Sequence, residues 1–223
     1  MIFPRHAWSF VMTAKGRNDP VITEFFFIRH APVVKEQGTL PPYDPPIDAG
    51  PFPLDTMCQS LPKEADWHVS PMKRTRQTAA LFKDQLLPHH EQLTDALIEQ
   101  NFGEWHEMTI GAVWEQIKKG PRHNWGFLMP DMSPPNGESF DEQVSRVAAW
   151  CAQIEAKKFD RPQIIFTHAG TIRAVITHMM ELSSVRAQSL AIPHFGCLHA
   201  HLMHNAEHHG GAWQIQAMRP LFP

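Results

Sequence analysis

An apolar run that ends in two basic side chains is the first feature able to do chemistry. Residues 24–34 read EFFFIRHAPVV, so Arg29 and His30 follow a stretch of Phe and Ile fit for a buried strand. Two more segments share this grammar. DWHVS, residues 66–70, leads into SPMKRTRQTAALF and supplies Ser70 and Arg74. QIIFT, residues 163–167, leads into HAGTIRAVITHMMEL and supplies His168. If these three ends meet, two guanidiniums and two imidazoles face one small volume. Arginine forks match phosphate oxygens with paired hydrogen bonds. Ala169-Gly170-Thr171 opens a helix directly after His168, and the backbone N–H groups of a helix N-terminus favour an anion. Positive neighbours lower the pKa of an imidazole and keep its lone pair free. Such a ring is a plausible nucleophile towards phosphorus.

The elements that would position these residues follow from the same stretches. Short, continuous apolar runs suit strands covered on both faces, as in a parallel sheet. Ser70 suits a helix N-cap and Pro71 the first helical position. In the segment after His168, Ile172, Val175, Ile176 and Met179 fall on one helical face. Further helices are expected near 51–61, 108–119 and 139–157; in the last, Phe140, Val144, Val147, Ala148, Cys151 and Ile154 recur at helical spacing. Strands mixed with helices predict a three-layer α/β/α sandwich with a mostly parallel central sheet. Ligands of such sheets bind beyond the carboxyl ends of the strands. That rule gathers Arg29, His30, Ser70, Arg74 and His168 at one edge. Residues 23–223 are read as one domain and residues 1–22 as an N-terminal extension. The 20 prolines cluster at 41–53 and 130–135, which suggests shaped loops. Pro41–Pro53 is expected to wall the site opposite the strand ends.

Bulk properties narrow the function classes. The net charge is −3 with histidine neutral, so no global basic field points to nucleic acid. Cys58, Cys151 and Cys197 form no C-x-x-C pair, which supports neither a disulfide framework nor a zinc ribbon. A reducing, cytoplasmic compartment fits. No apolar run approaches the roughly 18 residues of a membrane span. The opening MIFPRHAWSFVMTAKG is interrupted by His6 and Ser9 and lacks a clear A-x-A site, so it does not read as a signal peptide. His199 and His201 would share a strand face, and His204, His208 and His209 follow. No carboxylate or cysteine stands at the usual ligand spacing, so no metal is assigned. The segment reads as an exposed hairpin with HHGG as its turn. Trp105, Trp114 and Trp125 suit either a wall for a flat leaving group or the packing of the core or a lid.

RHA after a strand, SPMKRTRQTA, LIEQNFGEW and FTHAG resemble, in order, the four signatures of the histidine phosphatase superfamily, also called phosphoglycerate mutase-like. The likeness spans about residues 24–200. PPYDPPIDAG, RTRQTA, FGEW and NGESF are most similar to its α-ribazole phosphatase branch, which removes a phosphate from a nucleotide-loop precursor in cobalamin synthesis. The resemblance implies a phosphomonoesterase with a phosphohistidine intermediate and no metal or cofactor. It makes His30 the nucleophile and Glu99 the proton donor to the leaving oxygen. Arg29, Arg74 and His168 would hold the phosphoryl oxygens, with the backbone at Ala169 and Gly170. The implied partner is a small phosphate ester, with α-ribazole 5′-phosphate the named candidate; no nucleic acid or membrane partner is implied, and a homodimer is left open. A sugar-phosphate or phosphohistidine-protein phosphatase, or a catalytically weak phosphate-binding regulatory module, would use the same residues. Three departures stand out. Ala31-Pro32 replaces the usual Gly-Glu after the nucleophile. Trp105-His106-Glu107 replaces a Trp-Glu-Gly pattern. Glu99-Gln100-Asn101-Phe102-Gly103, with Arg122 beside Pro121 and His123, lacks the marks of the mutases.

Overall fold

The computed structural model describes residues 21–117, 120–126, 128–204 and 209–222. Most of the expected N-terminal extension, and His208 of the HHGG turn, lie outside the described residues. Strand β1 (Val21–Arg29) begins three residues before the expected 24–29. Its side chains alternate between two apolar layers: Phe25 and Phe27 enter one, Phe26 and Ile28 the other. That alternation is why the run reads as continuously apolar.

The sheet is completed by β2 (Asp66–Val69), β3 (His90–Leu93), β4 (Gln163–Thr167), β5 (Gly196–His204) and β6 (Trp213–Pro220). The spatial order is β3-β2-β4-β1-β5-β6. Strands β3, β2, β4 and β1 run parallel. Strand β5 is antiparallel to β1, and β6 to β5. Helices α1 (Leu54–Cys58) and α2 (Lys73–Leu86) supply Met57, Ala79, Phe82 and Leu86 to the layer of Phe26, Ile28, Ile164 and Phe166. Helices α4 (Phe140–Glu155), α5 (Ala169–Met180) and α6 (Ser184–Ala187) pack on the other face. This is the expected three-layer sandwich. A short helix, α3 (Ile110–Ile117), lies off the sheet in a small third cluster with Leu40, Trp105 and Leu128.

Helix α4 starts on a complete capping box: Ser139 accepts the Glu142 N–H, and the Glu142 carboxylate accepts the Ser139 N–H. Helix α2 corrects the sequence reading. It starts at Lys73, not Pro71, and Ser70 does not cap it. The cap comes from a distant loop, where the Asp44 carboxylate accepts the Lys73 N–H at 2.7 and 2.9 Å. Strand β3 was not anticipated, because HEQL is an exposed, polar edge strand with no apolar period.

His68 on β2 is a buried histidine with both nitrogens assigned. Its Nδ1 accepts from Gln92 Nε2 (2.9 Å), so Nε2–H donates to Gln163 Oε1 (3.2 Å). Burial pushes its pKa down to about 4, against the hydrogen bond to Gln163. The unfolded chain would bind a proton near pH 6.5. Below that pH the unfolded state therefore carries more protons, and stability falls as pH drops from about 6.5 to 4. The slope is at most about 1.4 kcal/mol per pH unit for this side chain. His68→Gln should flatten the pH dependence of the urea unfolding free energy across that window by up to this amount. An unchanged slope would mean that His68 is protonated in the folded state.

Candidate active site

Backbone ladders bring the strand ends together. The His30 N–H donates to Thr167 O at 2.9 Å, continuing the β1–β4 pairing one step past Arg29. The Ser70 N–H donates to Phe166 O at 3.0 Å, which does the same for β2. On the far side of β1, the Phe195 N–H donates to Arg29 O at 3.2 Å. The carboxyl ends of β1, β2 and β4 thus form one floor, where open α/β sheets place their ligands.

On this floor His30 and His168 meet edge to face with ring centroids 5.2 Å apart. His30 is buried, and its Nδ1 lies 2.7 Å from Ala31 O. A carbonyl only accepts, so Nδ1 carries the hydrogen and the lone pair sits on Nε2. Burial lowers the His30 pKa to about 2, and Arg74, Arg29 and His194 lower it too. The ring is neutral at any ordinary pH.

His168 is fully buried. Arg74 Nε donates to its Nδ1 at 3.2 Å, so Nε2–H donates to Ser70 Oγ at 2.9 Å. Burial first, then Arg74, His30 and Arg29, hold its pKa well below the usual histidine range. The single N–H expected to serve a phosphoryl oxygen is therefore given to Ser70. This is the use of Ser70 that the helix-cap reading missed.

The two arginines are held by backbone carbonyls. Arg29 Nη1 donates to Ile192 O at 2.6 Å, and Arg74 Nη1 donates to Tyr43 O at 2.9 Å. Arg29 Nε is buried and has no hydrogen-bond partner among the described residues. Burial lowers the Arg29 pKa to about 10, opposed by Glu99. It stays charged near neutrality, yet it is a cation short of an acceptor.

Glu99 sits over the start of α5. Its carboxylate accepts from Gly170 N (3.1 Å), Gln100 N (3.1 Å) and Gln143 Nε2 (3.0 Å). The helix start expected to receive an oxyanion at Ala169 and Gly170 thus holds a carboxylate at the Gly170 N–H. Gly170 allows this: a Cβ there would collide with Glu99 Oε1 and lie 2.8 Å from Gln143 Oε1. Glu99 acts electrostatically on Arg29, Arg74 and Arg173 together. A cavity of about 520 Å³, lined by Asp95, Asn101, Glu138 and Arg146 among others, shares only Glu99 with this cluster.

Several neighbours were not singled out from sequence. His194 lies 5.3 Å from His30 between ring centroids, with Nε2 3.4 Å from Arg29 Nη2. It precedes Phe195, which adopts φ 55° at the turn into β5. Non-glycine residues in that region are uncommon and gather at functional sites. Asp44, 3.7 Å from Arg74, and Tyr43 come from the 41–53 loop, so that loop does wall the site. The tryptophans fare differently. Trp105 is buried in the small third cluster and bonded to Gln116 (2.7 Å), which makes it core packing; Trp125 is 77% exposed. His106 ties the two loops, with Nδ1 3.0 Å from Pro41 O and its ring 5.4 Å from that of Tyr43. Strands β5 and β6 do pair antiparallel as the expected hairpin, but His204 at the end of β5 is buried against Thr23 at 2.9 Å rather than exposed.

The family model described as histidine phosphatase superfamily (branch 1) matches residues 56–219. The chain belongs to the histidine phosphatase superfamily. It is a phosphoric monoester hydrolase of that family. The matched segment starts after Arg29 and His30, which the β1–β4 ladder nevertheless seats beside His168. No curated protein matches the sequence. Several solved structures share its fold. A mycobacterial glucosyl-3-phosphoglycerate phosphatase superposes with a TM-score of 0.72 at 16% identity, covering 90% of this chain and all of its own. An Escherichia coli K-12 protein provisionally assigned as an α-ribazole-5′-phosphate phosphatase gives 0.71 at 15% identity, covering 90% of this chain and 97% of its own. A Thermus thermophilus protein gives 0.59 at 20%, covering 89% and 99%. These identities carry the fold, not the substrate. Among the described residues no helix is long and apolar enough to cross a membrane.

Gly170→Ala tests the seat of Glu99 in this histidine phosphatase. Alanine favours a helix over glycine by about 1 kcal/mol, so the thermal midpoint should hold. Displacing the carboxylate by an ångström should lower kcat by about 100-fold, with a smaller change in KM. Wild-type kcat for the alanine variant would mean that the position of Glu99 is immaterial.

Proposed function

We propose that the protein hydrolyses a small phosphate monoester in two steps through a phosphohistidine at His30. The observation that carries this reading is the pairing of an unsatisfied, buried Arg29 Nε with a neutral His30 whose lone pair is on Nε2. Buried donors are seldom left orphaned; a phosphoryl oxygen would satisfy this one. In the first step His30 Nε2 attacks phosphorus and the bond to the leaving oxygen breaks. Glu99 delivers a proton to that oxygen. In the second step water attacks the phosphohistidine, Glu99 takes a proton from it, and the N–P bond breaks to release phosphate.

Arg29, Arg74 and His168 would stabilise the charge on the transferring group, the usual source of catalysis in phosphoryl transfer. The arrangement of His168 suggests how. An arriving dianion favours its imidazolium form, in which Nδ1 becomes a donor. Arg74 Nε can then turn from His168 to a phosphoryl oxygen, and both groups point donors at the same charge.

α-Ribazole 5′-phosphate is our named candidate for the substrate. Tyr43, 47% exposed beside His106, offers an aromatic surface for a flat leaving group. The burial of Trp105 reduces that surface and favours a sugar phosphate as the second reading. The glucosyl-3-phosphoglycerate phosphatase of similar fold, also solved with inorganic phosphate, keeps that reading in view. The unpaired Cys151 and Cys197, both buried, fit a reducing cytoplasm, and a homodimer is compatible with the same proposal.

His30→Ala should lower kcat by at least about 1,000-fold with the fold intact, as expected for loss of a covalent nucleophile. Rapid acid-free quenching with a ³²P-labelled ester should trap an acid-labile, base-stable adduct on the wild type only. Glu99→Gln should slow an alkyl phosphate far more than p-nitrophenyl phosphate, because only the poor leaving group needs the proton. Equal losses on the two esters would remove Glu99 from the acid role. A panel containing α-ribazole 5′-phosphate and sugar phosphates ranks the two substrate readings by kcat/KM.

A further inference from the structure

A second cluster of chemically capable side chains lies near the opposite end of β1. Glu24 pairs with His201 across the β1–β5 ladder, and His199, two residues back on β5, faces the same side. The ligand atoms of all three lie within 4.8 Å of one another. Glu24 Oε1 is 3.2 Å from His199 Nε2 and 3.6 Å from His201 Nε2. The second distance exceeds a hydrogen bond, and His201 Nε2 is buried with no hydrogen-bond partner among the described residues. The His199 ring stacks on Phe26 at 4.3 Å and 8°, which fixes the aim of its Nε2. Burial lowers the His199 pKa, and the Glu24 carboxylate opposes that shift. A cavity of about 250 Å³ adjoins the group, lined by Glu24, His199, Cys197 and Arg219 among others.

We propose that Glu24, His199 and His201 bind one divalent transition-metal ion of the zinc type, through two Nε2 atoms and one carboxylate oxygen. Tetrahedral zinc with bonds of about 2.0–2.1 Å sets its ligand atoms about 3.3–3.4 Å apart. The observed 3.2 and 3.6 Å bracket that edge length. A plain His–Glu hydrogen bond would account for His199 but leaves His201 Nε2 orphaned; a metal satisfies both. Imidazole and carboxylate ligands suit zinc and its neighbours rather than calcium or magnesium. The fourth position faces the cavity, where water would fit and where Arg219 would attract an anionic ligand. Five residues of strand separate Glu24 from Arg29, roughly 17 Å at 3.3–3.4 Å per residue. The ion would therefore clamp β1 to β5 and take no part in phosphoryl transfer.

Zn²⁺ and Co²⁺ are the probes, added to the EDTA-stripped full-length protein. One equivalent of Zn²⁺ should bind and raise the thermal midpoint, and Co²⁺ should give visible bands of tetrahedral intensity. Glu24→Gln and, separately, His201→Ala should weaken Zn²⁺ binding by about 100-fold and abolish those bands. Both should leave turnover of p-nitrophenyl phosphate unchanged. The remaining histidines are identical in wild type and variants, so incidental binding elsewhere cancels in the comparison. Glu24 is half-exposed, so its glutamine variant decides the matter should His201→Ala unfold. Wild-type affinity in Glu24→Gln, or no Zn²⁺ bound by the wild type at micromolar concentration, overturns the proposal.

Discussion

Everything at the candidate active site depends on the register of β4 between β1 and β2. Arg29 must face Thr167 for the His30 N–H to reach the Thr167 carbonyl and for the rings of His30 and His168 to meet. Apolar burial alone cannot enforce this. Strand β4 is buried along its whole length, and Phe25–Ile28 is apolar on both faces. A slip by one residue would bury nearly the same surface, unlike in a half-wet sheet. The polar ends of β4 supply the discrimination. Thr167 Oγ1 donates to Leu97 O at 2.9 Å, Gln163 bonds His68 at 3.2 Å and Arg161 O at 2.9 Å, and the Asp66 N–H takes Pro162 O at 3.0 Å. The buried long-range bonds, Thr167 to Leu97 O and Gln163 to His68, would lose their partners after a slip, at about 1–3 kcal/mol apiece.

That register also concentrates unfavourable charge. Arg29, Arg74 and Arg173 are all partly stripped of water, and burial works against the charged form of each. Among the described residues Glu99 is the one acid that acts on all three, and Asp44 adds to it at Arg74. The carbonyls of Ile192, Tyr43 and Leu190 satisfy much of the remaining donor capacity. What is left over is Arg29 Nε, the donor that the proposed phosphoryl group would satisfy. This matches the general observation that preorganised sites hold interactions the protein alone would not choose.

How much of this could be read beforehand depends on the kind of signal. Strands β1, β2 and β4 and helices α4 and α5 announce themselves through apolar runs and helical spacing, which are local. The gathering of Arg29, His30, Arg74 and His168 follows from one topological rule about strand ends. Ser70 shows the limit of local reasoning. Its place before Pro71 suits a helix cap, but a buried imidazole needing an acceptor claims its hydroxyl, and a loop carboxylate 29 residues upstream of Lys73 caps the helix instead. Trp105 suits a pocket wall by composition and turns inward because its N–H finds Gln116. Asp44, His194 and Glu24 carried no sequence signal, since each matters only through a contact made at long range.

Glu24 makes the last point in a more general form. Metal-site reading by spacing looks for ligands along one segment, where helices and tight turns place them. A sheet supplies a different geometry: two histidines two apart on one strand and a carboxylate on its neighbour, joined by a register that no spacing encodes. Period-2 alternation sends Glu24 to the same face as Phe26 and Ile28, and His199 and His201 to the same face as Cys197. The ladder that assembles the proposed phosphate site at one end of β1 thus assembles the proposed ligand set near the other. The two share a strand but no side chain, so each can be altered without disturbing the chemistry of the other.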